Sequence, residues 1–417
     1  MSEPIRESDI FDGQTTFYMK YVGIWKIVNT YRTSGKMSLV FRLEWYLTLL
    51  LSVPFQVLQV ISPSYIDVDL EKATILILNT VSFLHMVAKH GTFWWNIKGH
   101  AELFRLMTKD LLTSIPQYKA AEAKKIYQDA TKRCNFYCRM IVTITYSVWS
   151  LWTFNPTVKS DYIQFHTGNM KDVTTGPKKI LGGWYPLPFS QSPWTEIIYF
   201  YEAILLLWCA VIVSIFDTVV TQEVMGLYAH LSVLNFHIST LKKEEIIFHS
   251  KREVHTEQEA EDLMHKEFVA IIRDHQYLLR CGKIIKECYN TYITALLLAG
   301  GNLMIITVFQ FFYGKKDIPT TINFVFYLSY GVMEISLLCW TTTLLETAST
   351  NIAFSIYSSD WYTCHKKLRN TGQMIMLRSE KPLSLAGFKV YHVNLETLMN
   401  IMQFTYSSSA LMSRMVE

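Results

Sequence analysis

Residues 197–220 read IIYFYEAILLLWCAVIVSIFDTVV, with Glu202 and Asp217 as the only charges. A bilayer core takes about 20 apolar residues of helix to cross, so this stretch is long enough by itself. Thr291 to Tyr313 holds no charge, and 322–344 holds one, Glu334. Outward from these three, further apolar segments at 41–61, 73–95, 136–154 and 393–413 bring the set to seven. The whole chain of 417 residues is only 18% charged, against about a quarter in soluble domains. The pattern predicts an all-α membrane protein with seven transmembrane helices. The last segment is the weakest: Asn394, Glu396, Asn400, Gln403 and Ser407-Ser408-Ser409 interrupt it. A span that polar is stable only against protein or water.

Orientation follows from the bias of lysine and arginine. Segments 1–40, 96–135, 221–288 and 345–392 carry 28 basic residues, and the alternate segments with the last few residues carry eight. The N-terminus is therefore expected in the cytoplasm and the C-terminus outside. Residues 1–9 are polar, so no secretory leader is expected. The chain divides into a cytoplasmic N-terminal segment (1–40), six spans with cytoplasmic helix extensions (41–344), a cytoplasmic helix and turn (345–392), and a last span with a short outer tail (393–417). The seven cysteines fall in spans or cytoplasmic segments, so no extracellular disulfide is expected. A seven-helix receptor coupled to G proteins has the opposite N-terminus and an outer-loop disulfide.

Several chemistries find no footing. A net charge of +4 gives no argument for nucleic acid. No Gly-x-Gly-x-x-Gly, Walker loop or His-Glu-x-x-His occurs, so neither an enzyme nor a cofactor is expected. Cys134 and Cys138 lie one helical turn apart without a partner pair, and His249, His255 and His265 lack metal-ligand spacing. Glu257 to Asp262 reads as a solvated face. The amphipathic stretches Phe268–Ile272 and Tyr277–Leu279 give the cytoplasmic extensions enough apolar surface to pack together.

Two segments carry a specific resemblance. Gly183-Trp184-Tyr185-Pro186 through Ser192-Pro193-Trp194-Thr195-Glu196 to Tyr199 resembles the Trp-Tyr-Pro … Ser-Pro-x-x-Glu-x-x-Tyr approach to the fourth span of insect odorant receptors. In the C-terminal third, Ala353 to Tyr362 (AFSIYSSDWY), Lys366-Lys367-Leu368-Arg369, Met374, Met376, Arg378, Lys381-Pro382-Leu383, Ala386-Gly387-Phe388 and Phe404-Thr405-Tyr406-Ser407 follow the order and spacing of that family. The related gustatory receptors end in Thr-Tyr, five apolar residues and Gln-Phe, where this chain has Met412-Ser413. The long second cytoplasmic insertion of the shared co-receptor is not apparent at 221–288. The chain thus resembles a ligand-specific odorant-receptor subunit. The resemblance implies an odorant-gated, non-selective cation channel in the plasma membrane of a sensory-neuron dendrite. It also implies a heterotetramer with the co-receptor, embedded in lipid and passing cations, whose cytoplasmic helices form an anchor between subunits. The runner-up is a gustatory-type channel.

The family places its odorant pocket in the outer half of the membrane. A volatile ligand needs a compact aromatic and aliphatic cavity with one or two placed polar groups. The helix-spaced sets in those halves are Ile77, Thr80, Val81 and Leu84; Tyr146, Trp149, Ser150 and Thr153; Tyr199, Glu202, Ala203 and Leu206; and Phe326 with Tyr327. Ordinary packing competes with the ligand reading at each. Glu202 reads equally as a ligand-contacting acid or a helix-bundle hydrogen bond, Asp217 as an interface ion pair. Asn79, Thr80 and His85 read as helix glue or cavity lining. On the last span, Glu396, Asn400, Gln403 and Ser407 fall on one helical face, which physics alone aims at a pore. The resemblance instead puts Thr405, Ser409 and Met412 there, with the constriction near Ser409.

Overall fold

The computed structural model describes residues 31, 39–67, 70–107, 115–158, 179–188, 191–249, 257–313, 318–363 and 365–416. Apart from residues 31, 39 and 40, the N-terminal segment 1–40 lies outside them, as does much of the long loop after residue 158. Ten α-helices follow in order among the described residues: α1 Leu39–Ile61, α2 Leu70–Trp95, α3 Ile97–Met107, α4 Ala120–Val158, α5 Trp194–Ser239, α6 Lys243–His249, α7 Glu257–Tyr313, α8 Ile318–Tyr357, α9 Lys366–Ser379 and α10 Leu395–Val416. Six of the seven expected spans each lie within one of them, and the seventh, 393–413, begins two residues before α10. Four of these helices, α1, α5, α7 and α8, contain stretches long and apolar enough to cross a membrane.

Length separates membrane from extension. At 1.5 Å per residue, α5 with 46 residues and α7 with 57 run roughly 70 and 85 Å, far beyond a hydrocarbon core of about 30 Å. Their surplus halves build the largest apolar core, in which Val224, Leu227 and Leu231 of α5 meet Phe268, Ile271 and Ile285 of α7, Ile352 of α8 and Ile375 of α9. A second core joins α1, α2 and α5 through Phe55, Phe83, Met86, Leu205 and Phe216. There the rings of Phe55 and Phe83 meet edge to face at 4.8 Å. His265, one of the scattered histidines, is exposed on α7. No group of three metal-ligating side chains occurs, and Cys134, Cys138, Cys209, Cys281, Cys288 and Cys339 are free thiols among the described residues.

One feature departs from an all-helical expectation. Between α9 and α10, β1 Ala386–Gly387 and β2 Tyr391–His392 form a small antiparallel ladder. Its turn needs left-handed backbone at Phe388 (φ 53°) and Lys389 (φ 62°). Those residues' N–H groups donate to Thr294 Oγ1 (2.7 Å) and Asn290 Oδ1 (2.9 Å) on α7. A Cβ at Gly387 would lie 2.9 Å from Leu297 Cδ1, so only glycine lets the ladder lie this close to α7.

Candidate functional site

Helices α2, α4, α5, α7 and α8 enclose a cavity of about 100 Å³. That is room for one small organic molecule, below the roughly 300–1,000 Å³ of drug-sized pockets. Leu78, Phe83 and His85 come from α2, Trp149 and Trp152 from α4, Leu206, Ala210 and Val213 from α5, Leu303 from α7, and Tyr327 and Tyr330 from α8. The walls are mostly aromatic and aliphatic. Trp152 meets Phe324 and Tyr327 edge to face at 6.0 and 6.2 Å.

The polar groups on this wall are nearly all committed. Ser82 donates to the Leu78 carbonyl (2.6 Å), so its 2.6 Å contact with Tyr327 is a hydrogen bond that the tyrosine donates. Thr145 donates to the Ile141 carbonyl (2.8 Å), and Tyr330 to Asp217 Oδ2 (3.2 Å). Three nitrogens have no hydrogen-bond partner among the described residues: Trp149 Nε1, Trp152 Nε1 and His85 Nε2. A buried donor left unpaired costs about 1–3 kcal/mol.

Residues 179–188 roof the cavity, with Leu181 in its wall. Glu202, fully buried, fastens the roof to α5: its Oε2 accepts from the Ile180 (2.8 Å) and Leu181 (3.2 Å) N–H groups, and its Oε1 from the Tyr185 hydroxyl (2.7 Å). Asn79 Nδ2 of α2 donates to the Leu181 carbonyl (2.5 Å). Ser62 after α1 accepts from the Trp184 N–H (2.7 Å), and the Trp184 ring stacks on Tyr65 at 4.0 Å. Gly183 has φ +89°, and a Cβ there would lie 2.6 Å from Gln59 Nε2. Gly183, Trp184 and Tyr185 of the motif thus have a physical reason, as a latch closed on Glu202, whereas the motif's Glu196 accepts from Ser192 Oγ (3.0 Å).

Below the cavity lies a buried charge cluster. The Lys89 ammonium of α2, wholly buried, pairs with Asp217 of α5 (2.7 Å) and with Glu334 of α8. The Tyr292 hydroxyl of α7 donates to Asp217 Oδ1 (2.7 Å). His85 Nε2 sits 3.8 Å from Glu334 Oε1. His85 and Tyr330 belong to both the cluster and the cavity wall, so four helices are tied together immediately beneath the site. Asp217, expected in an ion pair at the membrane interface, makes its ion pair with the buried Lys89 inside the helix bundle.

Of the residues singled out from sequence, Trp149, Leu206 and Tyr327 line the cavity, as do Asn79 and His85. The others do not. Ile77 and Leu84 are half exposed on the outer side of α2, and Phe326 points outward on α8. Thr80 and Ser150 donate to carbonyls four residues back, Leu76 (2.8 Å) and Tyr146 (2.8 Å). Val81 packs near Leu78 and Leu303, and Ala203 packs in the α1–α2–α5 core. Tyr146 touches Trp149 from behind, edge to face at 6.4 Å. The Tyr199 hydroxyl donates to the Thr153 carbonyl (2.9 Å), clamping α5 to α4. Both Glu202 oxygens are occupied by the roof. On α2 and α4 the inward face is turned by one residue, about 100°, from the expected set. On α5 the stripe is right but the cavity lies deeper.

The last helix has a buried and an exposed face. Thr405 and Ser409 are buried against the chain's own helices, and Met412 is half buried. Glu396, Asn400, Gln403 and Ser407 are exposed. Small hydroxyl side chains let α10 lie close to its neighbours, while Leu398 and Ile401 on the same side reach the large core.

The model of the 7tm odorant receptor family matches residues 73–406. Odorant receptor 47b of Drosophila melanogaster is 26% identical over 150 residues, 36% of each chain. Odorant receptor 10 of Aedes albopictus is 23% identical over 230 residues, 54% of this chain and 56% of that one. Odorant receptor 22b of Drosophila melanogaster is 19% identical over 76% of each. The match thus spans about a third of the first relative's length and about half of the second's. The structure of olfactory receptor OR5 from Machilis hrabei in complex with eugenol superposes with a TM-score of 0.74 at 19% identity, covering 96% of this chain and all of that one. That likeness establishes the fold.

Proposed function

We propose that this chain, which belongs to the 7tm odorant receptor family, is an odorant-binding subunit of a ligand-gated, non-selective cation channel assembled with the family's co-receptor. The observation that carries the ligand reading is the aromatic and aliphatic cavity beneath a latched roof. Its size suits a volatile molecule, and eugenol in the similar Machilis receptor is of that kind. Burial of apolar ligand area, worth about 25 cal/mol per Å², supplies the affinity. The unpaired indole N–H groups of Trp149 and Trp152 favour an odorant with one hydrogen-bond acceptor. The N-terminus lies in the cytoplasm of a sensory neuron and α10 borders the pore between subunits. In this reading its exposed stripe, Asn400, Gln403 and Ser407, faces the conduit, and Thr405, Ser409 and Met412 hold the helix to its own subunit.

Opening follows from differential affinity. A ligand that wedges between α2, α4, α5 and α8 favours whichever arrangement of those helices encloses it better, and α7 and α8 carry the change to α10, which packs on both. The test is expression with and without the co-receptor, recording currents across an odorant panel, with Ala210→Phe as a variant that fills the cavity. Odorant-evoked current is expected only with the co-receptor and only with an unfilled cavity. Robust gated current from the chain alone overturns the heteromer, and an unaltered response in Ala210→Phe overturns the site.

A further inference from the structure

A second cavity, unrelated to the odorant site, lies among α7, α8, α9 and residues 382–385, with a volume of about 470 Å³. Its floor is apolar: Leu279, Leu345, Leu383 and Leu385. Its rim is basic: Arg280, Lys283 and Lys286 along α7, and Arg378 from the last turn of α9. Two of these cations are partly compensated, since Arg280 lies 3.1 Å from Glu102 and Lys283 3.9 Å from Glu287. Lys286 has no carboxylate within salt-bridge distance among the described residues. Neither has Arg378, whose Nη1 donates to the Lys381 carbonyl (3.1 Å). Four cations against two carboxylates leave an excess of about two positive charges on one rim.

Position gives the excess a meaning. The span in α7 starts near residue 290 and that in α8 ends near 344, so Lys286 and Leu345 stand at the same inner edge of the membrane. An apolar floor that meets a basic rim at that level matches an amphiphile lying in the membrane boundary. The volume exceeds that of the odorant cavity more than fourfold. Basic pockets between membrane helices on the cytoplasmic side are suited to phosphorylated lipid headgroups, which juxtaposed lysines and arginines attract.

We propose that this groove binds a phosphate-bearing anionic lipid headgroup of the inner leaflet. The proposal rests on the reading of this end as cytoplasmic, and not on the odorant cavity. It reaches the receptor through α7 and α8, the helices that border both cavities, so headgroup occupancy sets how readily they move.

The test uses the full chain with its co-receptor in vesicles of phosphatidylcholine containing a trace of diazirine-bearing phosphatidylinositol 4,5-bisphosphate. Photolabelling of this chain is mapped to 279–286 and 378–385. The triple variant Lys283→Gln, Lys286→Gln, Arg378→Gln is expected to label on the order of 30-fold or more weakly, from two to three lost cation contacts. Pro382→Trp, which keeps every charge and fills the mouth, is expected to lose labelling as well. Equal labelling of wild type and both variants overturns the proposal. Full competition by unlabelled phosphatidylserine at equal mole fraction overturns it too, since that marks a diffuse surface charge. Complete displacement by free inositol 1,4,5-trisphosphate at micromolar concentration makes the ligand a soluble phosphate and overturns the lipid assignment. Odorant-evoked current, recorded in parallel, reports separately on the cavity above.

Discussion

Replacing Lys89 by Met removes the one ammonium that two buried carboxylates share. Lys89 touches both Asp217 and Glu334, which places an oxygen of each no more than about 5 Å apart. Two unit charges at ~5 Å repel by about 3 kcal/mol at an effective dielectric constant of 20. Breaking a buried pair by deleting one partner costs about 3–5 kcal/mol for the same reason. Met keeps the stem's packing and removes only the charge, so the loss is electrostatic. At roughly 2.1 cal/mol/K per residue of unfolding entropy, a chain of this length converts that loss into a melting temperature lower by about 3–6 °C. The assay is thermal melting of the fluorescently tagged chain by size-exclusion chromatography, repeated with Asp217→Asn and Glu334→Gln added. The triple variant is expected to regain most of the stability, because an uncharged cluster of the same shape carries no uncompensated ion. A Lys89→Met chain that melts with wild type refutes the reasoning, as does a triple variant no better than the single one.

Trp149→Ala is expected to weaken the response to every agonist about tenfold or more, and Tyr146→Ala by much less, in dose–response curves normalised to surface labelling. Agonists bearing a carbonyl or ether are expected to outperform hydrocarbons of the same shape, and Trp149→Phe to narrow that gap. Glu202→Ala removes three hydrogen bonds that hold the roof; the chain is expected to melt lower and to respond at reduced maximal current, whereas Tyr185→Phe, losing one bond, shows a fraction of both effects. Burial, and secondarily Arg378, hold the His275 imidazole down to about 4. The folded chain therefore binds this proton later than the unfolded chain, and stability falls as pH drops from about 6.5 towards 4, by about 2 kcal/mol at pH 5. A His275→Gln chain whose melting temperature falls between pH 7.5 and 5 as steeply as wild type refutes that assignment.

The helical fold was legible because hydropathy and span length act along the chain, where sequence shows them directly. Rotation of a helix about its own axis was not. In lipid the outer face of α2, with Ile77 and Leu84, is as apolar as its inner face, with Leu78 and Phe83, so periodicity has no contrast to lock on. That is why the expected sets on α2 and α4 stood one residue from the cavity, and why of the α8 pair Tyr327 faces it while Phe326 does not. A better signal was present in the polar residues. Asn79, Ser82, His85 and Lys89 recur on one face of α2, and a charge such as Lys89 is tolerable in that position only if it faces protein. Had Lys89 set the phase of α2, the inward face would have followed.

The same logic reaches the last helix and yields the opposite assignment there from the one the motif suggested. On α10 the polar stripe and the small-residue stripe lie on different sides, and only one can pack against the chain's own helices. Thr405 and Ser409 are buried and Gln403 and Ser407 are exposed, so the subunit spends its close-packing face on itself. A polar stripe left outward on a membrane helix is unstable in lipid and has to meet water or another subunit. Cysteine placed at Gln403 or Ser407 of the assembled channel is therefore expected to react with an impermeant thiol reagent and change the current, and cysteine at Ser409 to stay protected. Fast modification at Ser409 with protection at Gln403 would show that assembly rotates α10 by half a turn, and the outward stripe would then be a contact between subunits.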